Sequence, residues 1–335
     1  MSDYHYTQVH TRDAQEHGSS LSTWEQRYEQ LSIGPFQASL EDLHIGPVQV
    51  FRECANRSVL QDGTPRPGTM AVGFVLAREA QSQGWCCGHR LAAGRAIAVD
   101  ANNAFELVTG AGMMLLGMCI DKAELARRAV QFHGPMQALD IDLPGPALLK
   151  PDKVDHEEAK ALIEGAMSLA REQPALLAEP DRRRRLAESL TDALLDCLAP
   201  GHLQSELRPS AAARHRIVSR AWDYMRAHAD EPISVPQLCA AAGASRRALQ
   251  YAFEEVLDLS PVSYLHVMRL NRVRAEIRSH REDSVGDIAT RWGFWHLSRF
   301  AAEYRQLFGE LPSATRQRHL PQGKPELAPN FAKSG

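Results

Sequence analysis

The chain is predicted to be an α+β protein, with a mostly-β N-terminal domain, a helical segment after it, and an all-α C-terminal domain. Three observations predict this. Short apolar runs separated by Gly, Pro, Asn and Asp fill residues 34–121 at spacings of about ten residues, the pattern of a small sandwich or barrel. Apolar residues then recur every three or four positions between Asp155 and Leu198, which is helical spacing. Beyond Ser210, a helix, a glycine turn, a second helix and a stop signal occur twice. A chain of 335 residues is long enough for two domains with separate cores.

In chain order, residues 1–20 are polar and read as a flexible arm. Ser22–Leu31 is expected as a short helix, because Trp24, Tyr28 and Leu31 stand at i, i+4, i+7. The mostly-β domain is placed at residues 21–153, with strands in FQASLEDLHI, VQVFREC, MAVGFVLA, GWCCGHRL, RAIAV, FELVT and MMLLGMCI. Asp121 is expected to cap a helix over Lys122–His133, and 134–153, rich in proline, to be irregular. Helices are expected at 155–173 and 181–198 within a helical segment, 154–198. Leu186, Leu190, Leu194 and Leu198 form a stripe there, suited either to the chain's own core or to pairing with a second copy. Residues 199–213, with Pro200, Gly201 and Pro209, read as a linker, and 321–335 as a disordered tail.

The C-terminal domain is placed at 214–320. In DIATRWGFWHLSRFAAEYRQLFGELP (287–312), Gly293 permits the sharp turn, and Phe300, Tyr304, Leu307 and Phe308 make one apolar stripe. In VPQLCAAAGASRRALQYAFEEVLDLSP (235–261), Leu238 and Gly243 correspond to Ile288 and Gly293. Leu249, Phe253, Val256, Leu257 and Pro261 correspond to Phe300, Tyr304, Leu307, Phe308 and Pro312. A helix from Pro261 to about His280, capped by Ser260, joins the two units. Each unit reads as a helix-turn-helix, whose second helix enters a DNA major groove.

These residues resemble a known family. Residues 214–318 are similar to the DNA-binding domain of AraC-type transcription regulators, most tellingly in the form IAxxxGFxxxxxFxxxYRxxFGxxP. LSTWEQRYEQL, VQVFRE, SVPQLCAAAGASRRALQYAFEEVLDLSPVSYLHVMRLNRVR and WGFWHLSRFAAEYRQLFGELPS are similar to the ethanolamine-operon regulator branch. The resemblance implies a cupin-like β-domain that senses a ligand, a homodimer formed through the helical segment, and promoter DNA and RNA polymerase as partners. It implies an activator. In the ethanolamine branch it implies an ethanolamine effector with a cobalamin cofactor. Other relatives govern quorum-sensing or virulence genes, a reading that needs no inducer.

Charge fits DNA contact at one end. The chain carries a net charge of −3, yet residues 211–320 hold 16 Arg, no Lys, and 12 Asp and Glu. That domain is positive while the remainder is acidic. With the apolar stripes facing inward, Arg246, Arg247, Gln250 and Tyr251 of the first unit face the groove, as do His296, Ser298 and Arg299 of the second. Arg can grip guanine, and Gln adenine, with two bonds each. The resemblance assigns base contacts to Arg247, Gln250 and Tyr251. Ala302 stands where the family often has arginine, so the second unit is expected to rely more on backbone contact and DNA shape. Trp292 and Trp295 are expected to be packing residues, with contact to a DNA sugar as the alternative for Trp295, and Thr315, Arg316 and Arg318 are expected to lie near phosphate.

In the β-domain, Phe36, Phe51, Phe74, Trp85 and Phe105 are either core or lining of a barrel-mouth pocket. Arg52, Trp85, His89 and Arg95 are the ligand-binding candidates. Six cysteines show no framework spacing, and Cys86 and Cys87 with His89 lack a second ligand pair at zinc spacing. Only His44 and His89 occur between 34 and 121, too few for a metal-dependent cupin enzyme. No catalytic set stands out, DNA binding is expected to need no cofactor, and an enzyme is not expected. An architectural DNA-binding protein that senses nothing is the other alternative. The polar N-terminus and the shortness of the most apolar window, Leu107–Ile120, point to a cytoplasmic, nucleoid-associated protein.

Overall fold

A computed structural model describes residues 4–21, 23–77, 83–133, 142–149, 153–199, 202–204, 209–279 and 283–319. The chain runs β1 (Tyr4–Thr11), α1 (Ala14–Gly18), β2 (Glu25–Gln30), β3 (Ala38–Ile45), β4 (Val48–Ala55), β5 (Val59–Thr64), β6 (Thr69–Ala77), β7 (Gly84–Cys86), β8 (His89–Leu91), β9 (Ala96–Asp100), β10 (Phe105–Thr109) and β11 (Met113–Asp121). There follow α2 (Lys122–His133), β12 (Ala147–Leu149), α3 (Lys153–Glu172), α4 (Pro174–Leu177), α5 (Pro180–Cys197), β13 (Leu203–Gln204) and α6 (Pro209–Ala227). The chain closes with α7 (Val235–Ala242), α8 (Arg246–Leu257), α9 (Pro261–Ser279), α10 (Val285–Arg291), α11 (Leu297–Phe308) and α12 (Pro312–His319).

Two antiparallel sheets form the N-terminal domain. One has the order β1-β3-β4-β11-β6-β9-β12-β13, the other β2-β5-β10-β7-β8. The mostly-β domain and the all-α C-terminal domain are as the sequence predicts. Trp24 meets Phe51 and Phe105 edge-on between the sheets, at ring-centroid distances of 5.5 and 5.9 Å. Helices α3 and α5 cover the outer face of the larger sheet.

Several local expectations are corrected. The segment read as a flexible arm pairs along β3 from Tyr4 opposite Ile45 to Thr11 opposite Ala38, and continues into α1. Its polar residues suit an edge strand, which needs only one buried face. The expected helix at 22–31 is strand β2, paired with β5. A spacing of four is one helical turn but also two strand repeats, so Tyr28 of β2 and Trp24, just before it, face the same space between the sheets. The linker reading also fails in part, because β13 pairs with β12 and α6 begins at Pro209. Within the stretch read as irregular, 147–149 is a strand, while 134–141 and 150–152 lie outside the described residues, as does the tail 321–335. Leu190, Leu194 and Leu198 are buried in the chain's own core with Leu43, Val50 and Leu116, and Leu186 packs at its edge. The stripe is therefore internal core and offers a second copy no free apolar face.

The smaller sheet divides its side chains by the two-residue period of a strand. Tyr28, Gln61, Cys86, Phe105 and Leu107 line the space between the sheets. Leu31, Leu60, Trp85 and Val108 instead join Val218, Trp222, Phe253 and Tyr264 in a core shared with the helical domain. Polar contacts reinforce this seam. The Tyr264 hydroxyl donates to Glu29 at 3.1 Å, Arg274 Nε pairs with Asp13 at 2.5 Å, and Arg278 pairs with Asp13 as well.

Candidate nucleic-acid interface

The first unit is α7, a turn and α8. Ser234 and Gln237 form a capping box at the start of α7, which Gly243 ends at φ +61°. Ser245 then caps α8 by accepting from the Ala248 N–H at 3.2 Å. Leu249, Ala252, Phe253 and Leu257 turn inward. Arg246, Arg247 and Tyr251 are exposed, and Tyr251 keeps 60% of its surface. Gln250 is half-buried and donates to Glu254 at 2.5 Å.

The second unit repeats the design. Ser284 caps α10 through the Asp287 N–H at 3.1 Å, and Gly293 takes the turn at φ +84°. Phe300, Tyr304, Leu307 and Phe308 face the core of α11, while His296, Ser298 and Arg299 are exposed. Arg299 pairs with Glu303 at 2.7 Å, and Glu303 also meets His266 of α9 at 3.1 Å. The start of α11 is less basic than that of α8.

Trp295 corrects one expectation. It is 74% exposed, beside His296, whereas Trp292 is half-buried and packs against the cores of both units. Leu297 is 49% exposed next to it. Thr315 is buried rather than exposed to phosphate, and its hydroxyl lies 2.9 Å from that of Tyr304. Arg318 is exposed but pairs with Glu310.

The four ligand candidates of the β-domain do not converge. Arg52 pairs with Glu41 at 2.5 Å on the sheet face opposite Phe51. Trp85 packs against the helical domain. His89 is buried, and that burial together with the charge of His215 holds its pKa below the usual histidine range against a bond to the Pro146 backbone. Arg95 lies before β9, where its carbonyl accepts from the Val75 N–H at 2.9 Å. The space between the sheets is instead a cavity of about 60 Å³, lined by Trp24, Gln26, Tyr28, Glu53 and Gln61 among apolar residues. Of the aromatics named for such a pocket, Phe51 and Phe105 line it, and Phe36, Phe74 and Trp85 do not. Sequence reasoning missed Glu53 and Gln61, although both alternate correctly with their neighbours on β4 and β5. Tyr28 donates to Glu53 at 2.7 Å, and burial followed by that carboxylate pushes its hydroxyl pKa up.

No group of His, Cys, Asp and Glu able to hold a metal occurs among the described residues. None of their helices is long and apolar enough to cross a membrane.

Two glycine-turned helix pairs, each presenting the exposed start of its second helix, define a helix-turn-helix domain. Residues 238–318 match the family model described as a helix-turn-helix domain. The chain is 33% identical over 177 residues to a probable thc operon regulatory protein of Rhodococcus erythropolis, covering 52% of this chain and 51% of that one. It is 35% identical over 102 residues to XylDLEGF operon transcriptional activator 2 of Pseudomonas putida, covering 30% and 65%. A solved structure titled a probable AraC family transcriptional regulator from Rhodopseudomonas palustris is 32% identical, covering 31% of this chain and 98% of that one at a TM-score of 0.30. The chain thus spans between about half and two thirds of these two curated relatives. Residues 238–318 are a helix-turn-helix domain, similar in sequence to those of operon regulators.

Proposed function

We propose that the protein is a cytoplasmic, sequence-specific transcription regulator, an activator, that binds promoter DNA through α8 and α11 in successive major grooves. The observation that carries this reading is the exposed start of two equivalent helices on one domain. Arg246, Arg247, Gln250 and Tyr251 are the readers of the first helix, and His296, Ser298 and Arg299 those of the second. Helix α9 has 19 residues and is about 28 Å long at 1.5 Å per residue, close to one duplex turn. The curated relatives are named as an operon regulator and a transcriptional activator, which supports the activator role; RNA polymerase is the partner such a role proposes. A homodimer would need a surface other than the α5 leucines.

Binding of a DNA duplex selected from a randomised pool tests the reading. Arg247→Ala or Gln250→Ala should weaken the selected site by about 1–3 kcal/mol and leave random DNA almost unaffected. Equal losses on both would reduce these side chains to phosphate contacts.

The β-domain is proposed to modulate this binding. The sequence similarity to the ethanolamine-operon branch favours a small amine as effector and amine catabolism as the pathway. The cavity is compatible in size with such a molecule, and Glu53 offers it a carboxylate. A corrinoid is far too large for that space. Unchanged DNA affinity across amine concentrations would remove this part of the reading.

A further inference from the structure

The C-terminal end of the second recognition helix is completed by the β-domain. An α-helix leaves its last four carbonyls without intrahelical partners. In α11, Gly309 N–H returns to Arg305 at 2.8 Å, which serves one of them. The next two are served from outside the helical domain. Gly34 N–H donates to the Gln306 and Leu307 carbonyls, each at 3.0 Å. Gln30, 1% exposed at the end of β2, donates its side-chain amide to Leu307 at 2.7 Å.

The same amide holds the donating loop in shape. It also meets the carbonyls of Ser32 at 2.8 Å and Gly34 at 2.7 Å, sharing two hydrogens among three acceptors. The backbone of Gln30 is fixed in turn by the Asn271 side chain of α9. Gln30 N–H donates to Asn271 Oδ1, and Asn271 Nδ2 donates back to the Gln30 carbonyl, both at 3.0 Å. Pro35 closes the joint, since a Cβ on Gly309 would stand 2.9 Å from its ring nitrogen and Cβ. Among the described residues, the last turn of α8 receives no such donor.

We infer that Gln30 is a positioning residue for α11: it splints the end of the second recognition helix to the β-domain by hydrogen bonds, whereas the first unit meets that domain through the apolar core that Phe253 shares with Leu60, Trp85 and Val108 and does not involve Gln30. This rests on the proposal that both helices enter grooves. The unit that depends on the splint is also the one whose exposed start is less basic, where orientation must supply more of the binding.

The test uses the full chain and a duplex selected by the wild type from a randomised pool, followed by hydroxyl-radical footprinting. The wild type should protect two patches roughly one turn apart. Arg247→Ala and Arg299→Ala assign each patch to its helix. Gln30→Ala, and Gln30→Met with similar volume, should keep the α8 patch, lose the α11 patch and bind about tenfold more weakly, because the amide that ties the Gly34 loop to the end of α11 is gone. Both should retain the wild-type circular dichroism spectrum, because the ladder of β2 with β5 remains. Two intact patches at wild-type affinity in both variants would overturn the inference. So would loss of the fold in both, which would make Gln30 a core residue. A single wild-type patch would instead refute the two-helix reading, and the splint with it.

Discussion

Asp13 shows how much one side chain does at the domain seam. It caps α1 by accepting from Gln15 and Glu16 N–H, both at 3.0 Å, and pairs with Arg274 and Arg278. Burial pushes its carboxyl up, but the two guanidinium groups outweigh that and its pKa lies below the ordinary value. A lowered folded-state pKa gives stability above the unfolded value that is lost as pH falls through the folded one. Asp13→Ala should therefore cost about 3–5 kcal/mol near neutral pH, the range for a broken buried pair, with the gap closing in acid. Urea unfolding across pH measures both. Glu29 has the opposite sign. Burial raises its pKa despite Arg272 and Arg226, so its ionisation penalises the folded state as pH rises through that raised value. Glu29→Gln should raise the urea midpoint at neutral pH and lose its advantage below the ordinary glutamate range.

At the scale of elements, α8 and α11 have the same plan but different supports. Ser245 caps α8 with its own hydroxyl, whereas His296 makes no side-chain cap bond for α11. Ser245→Ala should cost about 1 kcal/mol, visible as a lower thermal midpoint, and should disturb the end of α8 that carries Arg246 and Arg247. At its other end α11 finishes on Gly309 at φ +75°, against Pro35. Gly309→Ala should destabilise by about 1–3 kcal/mol through backbone strain, and more where Pro35 cannot move aside. Calorimetry of the two variants separates the cap loss from the clash.

Across the whole molecule, charge is divided so that the acidic part holds the basic part. Asp13, Glu29, Asp62 and Glu106 of the β-domain face Arg274, Arg278, Arg272 and Arg226 of the helical domain. These arginines are spent on docking, while Arg246, Arg247 and Arg299, the proposed DNA contacts, stay exposed. DNA affinity should therefore fall steeply with salt, while docking, buried and partly apolar, should persist to about 0.5 M salt. An X-ray scattering profile unchanged over that range, beside a falling affinity, is the expected result.

The sequence by itself determined the two glycine-turned helix pairs. Their signals are local: a cap, a glycine at positive φ and an apolar stripe of helical period each act within about a dozen residues. The seven strand runs from Phe36 to Ile120 were legible for the same reason. Only the tertiary structure decided the rest. Strand β1 forms because β3 supplies an edge, β2 wins over a helix because β5 lies beside it, and the α5 leucines go to the sheet because the sheet is there to bury them. The seam follows the same logic. Nothing local marks Gln30 as a donor to Leu307 or Asp13 as a partner of Arg274, since these bonds join residues more than 250 positions apart, and only folding brings such residues together.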